Sequence, residues 1–198
     1  MLKPGGGSIS LCCGKLVKMP FAYYHRLSRQ RQRVYRRSDD IRVIQFSLEL
    51  RVVPFTENLA RVLKLEDRRE VENACQQLLN GLTRALKVPA ARVTVYAVRP
   101  RGHWGELHGL YTPADGGRPA HVEIWMRTAQ RRQVVAFRTF LRTLLHEFCH
   151  HLDYELLKLP ESFHTEGFYQ RESSLLNQLV PKDDTEIQSP APAQKQLV

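Results

Sequence analysis

What this chain of 198 residues lacks narrows its class before any motif is read. No apolar run approaches the ~18–20 residues that a membrane-crossing helix needs, and the start, Met1-Leu2-Lys3-Pro4-Gly5-Gly6-Gly7, has no apolar signal-like stretch. A cytoplasmic protein without a membrane span is therefore expected. Cysteine is scarce: of four, Cys12 and Cys13 are adjacent in a Gly-rich leader, while Cys75 and Cys149 sit within apolar helical patterns as small hydrophobes would. No disulfide framework follows, and a metal site at Cys12 and Cys13 would lack its other ligands. Internal repeats are absent, and between Tyr23 and Arg37 there is no acidic residue.

That acid-free stretch holds six arginines, Arg26, Arg29, Arg31, Arg33, Arg36 and Arg37, in a chain of net charge +10. Such a strip fits either a phosphate-binding surface for nucleic acid or anionic partners, or the solvated face of a helix. The remaining composition, 42% hydrophobic and 25% charged, is that of a globular protein with room for one core. One domain over 20–180 is expected, between a disordered leader at 1–19 and a disordered, Pro-containing tail at 181–198.

Along the chain, a weak helical pattern from Tyr23 to Arg37 ends at a Ser38-Asp39-Asp40 turn. Residues 41–53 are rich in β-branched and aromatic side chains and read as a strand stopped by Pro54. Two helices follow, from Thr56 to about Leu86, meeting near Glu66-Asp67. Arg92–Val98 alternates as a strand, and the segments 104–112 and 120–126 form a hairpin about a Gly-rich turn. Next comes a helix over 134–157, stopped at Leu159-Pro160, and a last helix whose apolar face is Phe168, Leu175, Leu176 and Leu179. Strands, a hairpin and then helices describe a small α+β domain with a mixed or antiparallel sheet.

The helix over 134–157 carries the chemistry. Phe137, Leu141, Leu144, Phe148 and Leu152 recur at spacings of three and four, the stripe of a helix packed on a core. His146 and His150, four apart, share a roughly opposite face with Thr139, Thr143 and Asp153, where two imidazoles can hold one zinc ion. Glu147, one step round, can act as base toward water at an open metal position. A catalytic zinc needs a third protein ligand. His164, on the loop returning past Pro160, is the candidate, with Glu172 and Glu166 as alternatives. Asp153 can orient a ligand imidazole or lie at the surface, and His151, about 100° away from His150, reads as a packing or surface histidine. Tyr111, Tyr154 and Tyr169 are candidates to stabilise an oxyanion, without a choice among them.

His146-Glu147-x-x-His150 on an apolar helix, followed by His164-x-x-x-Phe168, resembles the zincin superfamily of metallopeptidases, most of all its SprT-like branch. The block Phe148–Asp153 is also similar to MtfA-like peptidases, whose third ligand is a glutamate. The resemblance spans roughly 120–180, less than a third of the chain, and implies a zincin-like fold, Zn2+, Glu147 as base and acid, and a peptide or protein substrate. It further implies an edge strand before the active helix, here about 120–127, that pairs with an extended peptide. The rival expectation is a basic nucleic-acid or protein-binding module with a structural or vestigial zinc site.

Overall fold

The computed structural model describes residues 21–45, 52–102 and 105–180. The leader over 1–19, the tail over 181–198, the central part of the 41–53 strand expectation, and His103 and Trp104 lie outside the described residues.

A single 3-10 turn, Ala22–Arg26, leads into α1 (Arg29–Asp40), where the Ser28 side chain accepts from Arg31 N as N-cap. The helix runs through Ser38-Asp39-Asp40 instead of turning there. The reason lies elsewhere in the chain: the Arg171 guanidinium donates to the carbonyls of Ser38 and Ile41, satisfying groups that a helix C-terminus leaves orphaned. The expected strand over 41–53 also fails where it is described. Residues 41–45 are in no strand, and Val53 already opens α2 (Val53–Leu65), with Pro54 in its first turn, where a missing N–H costs nothing. Glu66 ends α2 in the left-handed conformation and Asp67 caps α3 (Arg68–Leu86), so the two helices meet at the expected place.

Three strands form the main sheet: β1 (Arg92–Val98), β4 (Gly109–Thr112) and β5 (His121–Arg127). Between β1 and β4, the short β2 (Arg101–Gly102) and β3 (Gly105–Glu106) pair with each other. The order is β1-β5-β4, with β5 parallel to β1 and antiparallel to β4. The hairpin is present, but β5 is central, so 120–127 is not the edge expected to receive a peptide. β1 takes β5 from 29 residues away (Val93 beside Val122), which no local pattern in β5 announces.

The two real edges differ. Along β1, side chains of α3 replace a further strand: Gln76 Oε1 accepts from Val93 N at 2.9 Å, Glu72 Oε2 from Val95 N at 2.8 Å, and Arg68 donates to Val95 O at 2.9 Å. That edge is closed to strand addition. β4 has β5 on one side and no strand on the other among the described residues, which makes it the open edge.

α4 (Phe137–Glu155) packs across β4 and β5, and α5 (Glu166–Leu179) packs on α4. Leu141, Leu144, Phe148 and Leu152 are fully buried in one core with Val95, Ile124, Leu78 and Phe168. A second, small cluster joins Tyr24 and Tyr35 to Phe163 on the loop between α4 and α5. The molecule is therefore a small α+β domain. No helix among the described residues is long and apolar enough to cross a membrane.

Candidate metal centre

α4 buries its apolar stripe and so sets His146 and His150, one turn apart, on the side facing β4 and the returning loop. Leu156 caps α4 short of the expected end, and Leu157–Thr165 carries His164 back over it. His164 Nε2 lies 2.9 Å from His146 Nε2 and 3.1 Å from His150 Nε2, and the three donor atoms lie within 4.8 Å of one another. Nitrogens bound to one tetrahedral ion at about 2.0–2.1 Å would sit about 3.3 Å apart, close to the two distances from His164. His146, His150 and His164 together could hold a metal ion.

The outer ring nitrogens decide which tautomers face inward. His146 Nδ1 is 2.9 Å from Glu172 Oε2, and an ionised carboxylate only accepts, so Nδ1 carries the proton and Nε2 a lone pair. His150 Nδ1 is 2.7 Å from Ser162 Oγ, whose hydroxyl donates to Asp153 Oδ2 at 2.6 Å, so this Nδ1 is also the donor. Two inward lone pairs beside a third nitrogen cannot all be satisfied by one N–H. A cation satisfies all three, and neutral imidazole is the ligand form. Burial, then the neighbouring His164 and His146, push His150 down to about 3, and desolvation and His146 also lower His164.

These contacts sort the alternatives for the third ligand. Glu172 is on α5, 4% exposed, with one oxygen on His146 and the other accepting from Arg142 at 2.6 Å, so it orients a ligand. Glu166 is exposed on the first turn of α5, outside the triad. Asp153 reaches His150 only through Ser162. Its other oxygen accepts from Arg171 at 2.8 Å in an ion pair with no solvent exposure on either side. It is neither a surface carboxylate nor a direct partner of an imidazole. His151 packs as expected: its Nε2 donates to Pro89 O at 2.8 Å, which leaves Nδ1 to accept from the Tyr111 hydroxyl at 3.1 Å. That bond occupies Tyr111. Tyr154 lines the cleft beside Ser162, and Tyr169 stacks on His164 with centroids 6.0 Å apart.

Glu147 is 6% exposed and lies against the open strand. A Cβ built on Gly109 would fall 2.7 Å from Glu147 Cγ and 2.8 Å from Cδ, so any side chain at 109 would push the carboxylate from this position. Burial raises the Glu147 carboxyl to about 7; His146 opposes this and Glu172 adds to it. Histidines and glutamate share a cleft of about 300 Å3 with Gly109, Leu110 and Tyr111 of β4. A second hollow of about 360 Å3, bordered by His108, Thr143 and Arg142, opens on the other side of His146 and Glu147.

The N-terminal segment straps the loop that carries His164. The Tyr23 hydroxyl donates to His164 O at 2.9 Å, Arg31 pairs with Glu161 at 2.7 Å, and Arg37 donates to Leu157 O at 2.9 Å. Arg36 donates to the Tyr24 hydroxyl at 2.6 Å. All six arginines of the strip are exposed, and three of them, Arg31, Arg36 and Arg37, also bond within the fold. Sequence reasoning missed Ser162, Arg171, Tyr23 and Gly109. Of these only Gly109, a glycine inside a strand pattern, carried a signal.

The chain matches no protein-family model, no curated protein and no solved structure.

Proposed function

We propose that the chain is a zinc-dependent hydrolase, a metallopeptidase that cleaves peptide bonds with water. The observation that supports this most is the convergence of three Nε2 atoms beside a buried carboxylate that lies on an open strand edge. His146, His150 and His164 would hold the ion, and three protein ligands leave a position for water, unlike the four of a purely structural site. Zinc bound there would supply Lewis-acid activation of that water and of the scissile carbonyl.

The rest is done by side chains and backbone. Glu147 takes the proton of the attacking water and returns it to the leaving amine. Glu172, and Asp153 through Ser162, hold His146 and His150 with their lone pairs inward. The unpaired edge of β4 offers backbone N–H and C=O groups to an extended substrate, which would lie as a fourth strand with its scissile bond near Gly109. On this reading a peptide would add to 109–112, since 120–127 lies in the central strand. The nucleic-acid or protein-binding alternative rests on the arginine strip, in which Arg31, Arg36 and Arg37 also bond within the chain.

Glu147→Gln should retain zinc at wild-type stoichiometry and lose peptide hydrolysis. Hydrolysis by that variant at the wild-type rate would remove Glu147 from the mechanism.

A further inference from the structure

A cavity larger than the histidine cleft lies elsewhere in the molecule. It measures about 940 Å3 and lies at the end of the sheet where β1 and β5 begin and β4 stops. Pro113, the residue after β4, lines both this cavity and the histidine cleft, so the two are neighbours along the open strand. From Gly109, against Glu147, to Pro113 is four residues, about 14 Å of extended chain at ~3.4 Å each. A strand added to β4 with its scissile bond at Glu147 reaches the cavity about four residues away.

The lining is rich in donors. Arg92 and Arg118 border the cavity, both exposed, and neither makes an ion pair or side-chain hydrogen bond among the described residues. Asn80 uses its carbonyl oxygen to accept from Gln76 at 2.9 Å, which leaves its amide N–H groups. His121 is held 2.8 Å from the Thr94 hydroxyl. Asp115 is the one carboxylate of the lining, set against two guanidinium groups. Charged donors in excess of acceptors recognise carboxylates.

We propose that this cavity is a distal subsite of the same cleft, selecting substrates with an acidic residue about four positions from the scissile bond. The proposal rests on the hydrolase reading for its cleavage arm and on binding alone for its second arm.

The test uses the full chain, zinc-loaded, with a fluorogenic peptide series. One peptide is neutral throughout, and others carry Glu three to five positions to either side of the scissile bond. Wild type should cleave one acidic register with a KM about tenfold below that of the neutral peptide. Arg92→Ala/Arg118→Ala should abolish that difference while cleaving the neutral peptide as wild type does, and Arg118→Glu should invert it in favour of a Lys-containing peptide. In parallel, fluorescence anisotropy follows labelled acidic and neutral peptides binding to the Glu147→Gln protein and to the same protein carrying both alanines. A preference for acid that survives the double substitution, equal binding of the two peptides, or tighter binding of an oligonucleotide competitor overturns the subsite. Loss of all cleavage with the binding preference intact would overturn the hydrolase reading and leave the subsite standing.

Discussion

Replacing His164 and Glu172 separately tells a metal ligand from the residue that orients one. An apparent zinc affinity of about 10–16 kcal/mol shared among four ligands gives roughly 2.5–4 kcal/mol for each, or about two to three decades. His164→Ala removes one of three converging nitrogens and should weaken zinc by that amount. Glu172 acts one step out: it fixes the His146 tautomer at 2.9 Å and is itself held by Arg142 at 2.6 Å. Loss of such a partner costs about 10–100-fold in metal affinity, or about 1.4–2.8 kcal/mol. Glu172→Gln keeps a neutral acceptor and belongs at the low end, Glu172→Ala at the high end. The assay is competition with a chromophoric chelator, supported by metal content after gel filtration and by thermal melts as a control for folding. Wild-type affinity in His164→Ala, or a larger loss in Glu172→Ala than in His164→Ala, would refute the assignment of both residues.

Gly109→Ala should displace the Glu147 carboxylate and slow hydrolysis about 100-fold with zinc content unchanged; an unaltered rate would show that the close approach has no bearing on the chemistry. Arg171→Met strands Asp153 as a buried charge, at a cost of about 3–5 kcal/mol, and should lower Tm by about 6–20 °C; a calorimetric shift below about 3 °C would count against the buried pair as a structural tie. Burial raises the thiols of both Cys75 and Cys149, so little thiolate forms near pH 8. Neither should take up iodoacetamide until the chain is denatured, and peptide mapping of labelling in the folded protein checks this.

The parts of the fold that were legible in the sequence are those fixed by short spacings. α4 and its histidines follow from three- and four-residue recurrence, and the β4–β5 hairpin from alternation about a Gly-rich turn. His164 was legible because a proline stop forces the chain back over the helix. What stayed hidden depends on distant partners. β5 is central only because β1 pairs with it, and the β1 edge is closed only because Glu72 and Gln76 reach it from α3. α1 continues through Ser38 because Arg171, 133 residues on, accepts responsibility for its last carbonyls as donor. The composition of 41–53 suggested a strand, yet Pro54 serves equally well as the first turn of a helix, which is the use the fold makes of it.

The strap across the His164 loop also sets an order in time. The bond from Tyr23 to His164 joins residues 141 apart, and the one from Gly167 N to Asp39 joins residues 128 apart. At about 5–20 residues per second, a ribosome adds His164 roughly 7–30 s after Tyr23. During that interval the strap has nothing to hold, and His146 and His150 emerge before their third partner. A growing chain therefore cannot assemble the triad until His164 has been added, after every element up to α4 has been made. In that sense the topology works as a delay, completing the histidine cluster late in synthesis.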